Sequence, residues 1–203
     1  MQDTNYLTNA RTVWDREAAT FDAEPDHGLR DPAVKAAWRQ LLAQWLPPSP
    51  GHVLDLGCGT GSLSLLAAEL GHTVMGIDCS LAMIELAQAK AAAHDLPITF
   101  QVMDAANPTI MPTHVDALIC RHLLWALPEP ATVLVHWQKL LKPAGRLLLI
   151  EGFWFTGGGL KMTEVIDLLP PELGVIETIT LSPLSVLWGK VVNDERYAIL
   201  LAR

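Results

Sequence analysis

The sequence predicts an α/β fold built on a doubly wound, mostly parallel sheet. Three observations carry that reading. From residue 51 onward, short apolar runs alternate with helical patterns, the signature of parallel strands joined by crossover helices. A glycine turn, Gly57 to Gly61, joins the first run to the first of those helices. Acids fall at the ends of the first three runs, Asp55, Asp78 and Asp104, where open α/β sheets hold their ligands.

The elements follow in order. Trp14, Ala18 and Phe21 recur at helical spacing and predict a short amphipathic helix over about residues 8–20. Asp22–Arg30, with Pro25 and Gly28, reads as a loop. Asp31-Pro32 is an N-cap followed by proline at the first helical position, and Val34, Trp38, Leu41, Leu42 and Trp45 line one face of that helix. Leu46-Pro47-Pro48-Ser49-Pro50-Gly51 is a stiff linker. It divides an N-terminal helical lid, residues 1–46, from a core domain, residues 51–203.

In the core, strands are expected at His52–Leu56, Thr73–Ile77, Ile98–Val102, Val115–Cys120 and Arg146–Ile150. The helices between them lie near residues 61–70, from Ser80 to His94, and near 130–141. Pro143-Ala144-Gly145 turns the chain into the fifth strand. Gly157-Gly158-Gly159 is a hinge before a helix near 160–169, and two last strands, near 174–180 and 191–201, are joined tightly enough for an antiparallel hairpin.

Composition narrows the function. Half of the 203 residues are hydrophobic and 18% are charged, which suits one globular domain with a short appendage. The apolar runs are far shorter than the roughly 20 residues of a membrane helix. Met1-Gln2-Asp3-Thr4-Asn5 lacks the basic-then-apolar order of a secretory signal. A net charge of −8, with 14 scattered basic residues, argues against nucleic acid and for a small-molecule substrate. Three cysteines, Cys58, Cys79 and Cys120, are an odd number without metal-type spacing, so reduced thiols in a cytoplasmic protein are expected. They read as small space-fillers near a ligand. No His, Asp or Glu group has the spacing of a metal site.

Val53-Leu54-Asp55-Leu56-Gly57-Cys58-Gly59-Thr60-Gly61 decides among nucleotide sites. A dinucleotide turn needs G-x-G-x-x-G, and the position of its third glycine is here Ser62. The G-x-G-x-G form after Leu-Asp-Leu resembles motif I of the class I S-adenosylmethionine (SAM) methyltransferases. That resemblance covers about residue 51 to the C-terminus. It implies a Rossmann-like, seven-stranded sheet ordered 3-2-1-4-5-7-6 with an antiparallel C-terminal strand pair, and it implies SAM as cofactor.

By this resemblance Gly57, Cys58, Gly59 and Gly61 accommodate the amino-acid end of SAM, and Asp55 reaches its amine or else only braces the turn. Asp78, followed by Cys79, can take both ribose hydroxyls, because an ionised carboxylate only accepts. The same fork serves NAD, so it does not discriminate alone. Asp104 would accept from the adenine amino group while the Ala105 N–H donates to the ring. Met83 and Met103 are apolar walls for the adenine or ordinary core. Arg121 would meet SAM through its carbonyl, or a substrate carboxylate through its side chain. His122 stands where transfer should occur, and His27 lies on the lid loop. Either can deprotonate an acceptor, with an unperturbed pKa of about 6.5, or serve as a structural hydrogen-bonder. Trp14, Phe21, Trp125 and Trp154 suit an apolar pocket whose ring faces favour a sulfonium.

These readings converge on a SAM-dependent methyltransferase for a small molecule. A SAM lyase or cyclase, a non-catalytic SAM-binding protein and, more weakly, an NAD oxidoreductase are the rivals. The C-terminal strand edge offers a surface for a homodimer.

Overall fold

A computed structural model describes residues 4–111 and 113–203. Residues 1–3, part of the stretch read as lacking a secretory signal, lie outside the described residues.

Seven strands form one sheet: β1 (His52–Leu56), β2 (Thr73–Asp78), β3 (Thr99–Val102), β4 (Val115–Arg121), β5 (Leu141–Phe153), β6 (Gly174–Thr180) and β7 (Glu195–Ala202). Their order is β3-β2-β1-β4-β5-β7-β6. The first five run parallel, and β7 is antiparallel to both β5 and β6. Alternate residues of the inner strands feed opposite layers, which explains their near-continuous apolar runs. In β4, Leu118 and Cys120 join a core with Trp137, Leu149 and Tyr197. Ala117 and Ile119 join a second core with Trp38, Leu66 and Trp188.

The helices are α1 (Thr4–Phe21), α2 (Pro25–Gly28), α3 (Pro32–Trp45), α4 (Ser62–Glu69), α5 (Leu81–Ala93), α6 (Pro130–Leu140), α7 (Met162–Asp167) and α8 (Ser185–Trp188). Asp31 caps α3 by accepting from the Ala33 and Val34 N–H groups, and Ser80 caps α5 by accepting from Met83.

Four local expectations change. The helix expected at 8–20 extends back to Thr4. The Asp22–Arg30 loop contains α2, because Pro25 pre-sets a first turn in which His27 and Gly28 N–H donate to the Glu24 carbonyl at 3.1 Å. β5 begins at Leu141, which already pairs with Val115; Pro143 to Gly145 bulge out before pairing resumes at Ala117 and Arg146. Between β6 and β7 there is no tight turn: residues 181–194 carry α8, whose Trp188 is fully buried and packs edge-on against Trp38 at 5.5 Å.

The three N-terminal helices divide by packing. α3 is built into the core, with Trp38 and Leu42 fully buried and the Trp38 indole N–H donating to the Leu187 carbonyl at 2.8 Å. α1 lies across the carboxyl end of the sheet, and Ala18 is its one buried side chain among those described.

Candidate functional site

A cavity of about 320 Å³ opens at the carboxyl ends of β1, β2 and β4, where the strand order reverses. Asp55, Gly57, Cys58, Gly59, Asp78, Cys79, Met83, Asp104, Ala105, Arg121, His122 and His27 all line it. Trp14, Phe21, Trp125 and Trp154 line it as well. Gly61 and Met103 do not. Gly61 has φ +79°, and a Cβ there would stand 2.9 Å from Phe100 and 3.0 Å from Ala87, so its job is to bring α4 close to β3 and α5. Met103 packs into the core beneath.

The glycine turn and the strand-end acids support each other. The Gly59 N–H donates to Asp78 Oδ2 at 3.0 Å and the Ser80 N–H to Oδ1 at 2.9 Å, which leaves lone pairs on both oxygens. Burial raises the Asp78 carboxyl pKa, opposed by those two bonds. Asp55 is buried behind the turn, where Ser64 Oγ donates to it at 2.6 Å, and burial pushes its carboxyl up to about 6. Burial likewise raises the Cys58 and Cys79 thiols, which therefore stay protonated wall groups.

Three polar tethers hold α1 over this floor. Tyr6 donates to Asp104 Oδ1 at 2.5 Å. Asp15 accepts from Ser80 Oγ at 2.5 Å and from the Ala82 N–H at 3.2 Å. Asp22 accepts from Thr60 Oγ1 at 2.5 Å and pairs with Lys90 at 2.8 Å, and Lys90 reaches Thr60 and Ser62. One tether lands beyond each of β1, β2 and β3.

The far end of the cavity is built by the segment after β4. His122 sits at φ +56°, a strained position for a residue with a Cβ. The segment is held from below by Glu151 of β5, whose Oε1 accepts from the Leu123 and Leu124 N–H groups at 2.9 and 2.7 Å. Burial pushes the Glu151 carboxyl up to about 8. The Arg121 guanidinium donates to the Asp26 carbonyl at 2.7 Å and lies over the Trp38 ring, which ties α2 to the sheet. His27 stacks on Phe21 with centroids 4.2 Å apart, and His122 packs edge-on to Trp154 at 5.3 Å. Burial, and then the Arg121 charge, keep both imidazoles below their ordinary pKa, so both are neutral at pH 7.

The fold also gathers Asp26, His27 and His122, with one ligating atom of each within 4.8 Å of the others. No spacing announces this group, since His122 lies far along the chain. Asp26 was the available signal, being adjacent to a histidine already singled out. Tyr6, Asp15, Asp22, Lys90 and Glu151 carry no local pattern at all; the way α1 lies over the sheet gives the first four their partners, and the pairing of β4 with β5 brings Glu151 under Leu123 and Leu124.

Comparison with known proteins places this architecture. Residues 53–145 match the family model described as a methyltransferase domain. A ubiquinone biosynthesis O-methyltransferase of Coxiella burnetii is 36% identical over 96 residues, 47% of this chain and 41% of that protein. A 2-phytyl-1,4-naphtoquinone methyltransferase of Synechococcus elongatus is 33% identical over 120 residues, 56% of this chain and 52% of its own length. The chain thus spans about half the length of the curated relatives it matches. Among solved structures, a geranyl diphosphate C-methyltransferase from Streptomyces coelicolor, in complex with S-adenosyl-L-homocysteine, superposes with a TM-score of 0.78 over 99% of both chains. At 15% identity that likeness is one of fold.

Proposed function

We propose that this chain, which belongs to the class I SAM-dependent methyltransferase family, transfers a methyl group from SAM to a small-molecule acceptor. One observation carries the reading: the glycine turn, Asp78 and Asp104, from three strand ends, line one cavity with Arg121 and His122 at its far end. In this reading Gly57, Cys58 and Gly59 lie against the amino-acid end of SAM, with Asp55 beneath the amine. Asp78 takes the ribose hydroxyls. The two bonds to Asp104 both use Oδ1, so Oδ2 meets the adenine amino group, with the Ala105 N–H and Met83 beside the ring.

The acceptor then occupies the end walled by Trp14, Phe21, Trp125 and Trp154, an apolar lining that suits a flat or hydrocarbon-rich molecule. Quinone-pathway names among the relatives agree with such an acceptor. A sulfonium is a good leaving group, so alignment and exclusion of water supply much of the catalysis. α1 and α2, rather than α3, form the lid that excludes it. His27 and His122 present imidazoles to the acceptor, fit either to take its proton or to ligate a metal that makes the acceptor's proton easier to lose to water.

Further expectations belong with this proposal. No described helix is long and apolar enough to cross a membrane. Three free thiols fit a reducing, cytoplasmic setting. The acidic charge disfavours a nucleic-acid partner. The exposed edge strand β6, with Val175 and Ile176 open to solvent, suits a homodimer.

Calorimetry with S-adenosylhomocysteine tests the cofactor. Binding is expected, weakened roughly 10- to 100-fold by Asp78→Ala, the equivalent of a lost charge-assisted hydrogen bond. No binding to the wild-type chain would sink the proposal. Release of methylthioadenosine from SAM alone would replace methyl transfer with SAM cleavage.

A further inference from the structure

Asp26, His27 and His122 come within 4.8 Å of one another through one ligating atom each, and each side chain carries a buried polar atom without a hydrogen-bond partner: Asp26 Oδ2, His27 Nδ1 and His122 Nε2. Asp26 is only 3% exposed. Leaving a buried polar atom unpaired costs about 1–3 kcal/mol, so such atoms on three side chains already gathered at ligand distance point to a missing ligand. Asp26 and His27 do not satisfy each other, since His27 Nε2 stands 3.7 Å from Asp26 Oδ2, beyond hydrogen-bond reach.

We infer that Asp26, His27 and His122 form a binding site for one divalent transition-metal ion, Zn²⁺ by preference, with an open position toward the acceptor. Two imidazoles and a carboxylate are a donor set for Zn²⁺, Co²⁺ or Fe²⁺; Mg²⁺ and Ca²⁺ prefer oxygen alone. Three protein ligands with a vacant fourth position is the arrangement of catalytic zinc sites. The ligating atoms lie within 4.8 Å of one another, and small side-chain shifts bring them to the separations of a tetrahedral ion.

The surroundings support the ligands. The Asp26 backbone is held by Arg121, the His27 ring by Phe21, and the His122 ring by Trp154 and Trp188. The Arg121 charge opposes a cation here, and the carboxylates of Asp26, Asp55 and Asp22 offset it.

The consequence for chemistry rests on the methyltransferase proposal. A hydroxyl or thiol on the open position loses its proton to water at neutral pH, as metal-bound water does. The resulting oxygen or sulfur lone pair forms the new bond to the SAM methyl carbon. The carbon–sulfonium bond breaks in the same step, and its electrons leave as neutral S-adenosylhomocysteine.

The test uses tag-free protein stripped by chelator and titrated with Co²⁺. One equivalent should bind, give the visible bands of four-coordinate cobalt, and be displaced by Zn²⁺. Asp26→Ala and His122→Asn should each weaken binding at least about 100-fold, the upper end of what a lost supporting group costs. Circular dichroism identifies any variant that fails to fold, and His27→Gln then replaces it. Absence of the bands, or bands that survive these substitutions, would overturn the site. S-adenosylhomocysteine binding and full-rate methyl transfer in metal-free protein would overturn the metal's part in the transfer and leave the methyltransferase proposal standing. Cobalt binding without S-adenosylhomocysteine binding would uphold the site and overturn the methyltransferase proposal alone.

Discussion

Glu151 shows how one buried carboxyl supports the chemistry without touching it. It is fully buried, Oε1 holds two N–H groups of the segment after β4, and Oε2 has no partner. Its pKa rises from 4.5 to about 8 on folding, with burial as the first cause. The native state therefore binds more protons than the unfolded state between those values. Stability must fall as pH climbs from 4.5 through about 8, and then level off. Glu151→Gln keeps the acceptor oxygen and removes the ionisation. Denaturant melts should find the variant close to wild type at pH 5 and more stable at pH 9; parallel pH profiles would refute this account. Asp78 differs in kind. Its two backbone donors stabilise the carboxylate and aim it into the cavity, so its loss should register in cofactor affinity more than in folding.

At the scale of elements, α1 and α3 look alike in sequence, each with a helical apolar stripe, yet they do different work. α3 buries Val34, Trp38, Leu42 and Trp45 against the sheet and cannot leave without opening the core. α1 buries little and depends on Tyr6, Asp15 and Asp22 for its place. At about 1 kcal/mol for each hydrogen bond, removing all three loosens it by about 3 kcal/mol, roughly a hundredfold in local opening. Hydrogen exchange on a Tyr6→Phe, Asp15→Ala, Asp22→Ala variant should therefore show faster exchange in α1 and unchanged protection in α3. S-adenosylhomocysteine should dissociate faster from that variant. Equal exchange in both helices would mean that α1 is held by packing after all.

For the molecule as a whole, a cofactor held at the ends of several strands couples binding to global stability. At a hundred times its dissociation constant, S-adenosylhomocysteine should add about 2.7 kcal/mol, or roughly 5–10 °C in Tm for a chain of this size. A scan with no shift would show that the cavity does not hold this ligand. Much of this frame was legible before any coordinates. The strand order is the one that the family resemblance implies, a property of the whole sheet that no local pattern writes out. β1 matches its expected bounds, and Asp31 and Ser80 cap the helices they were expected to cap. Strand bounds and caps are local: hydrophobic period and capping chemistry act within a few residues, and a sequence records them directly. The fold alone decided which distant groups meet. Tyr6 reaches Asp104, Glu151 reaches Leu123, and Asp26 and His27 reach His122, across separations that no spacing rule spans. The sheet sets those meetings, because parallel strands with crossover helices collect far-apart loops at one edge. Burial there then shifts pKa values and orphans polar atoms that would be ordinary in water.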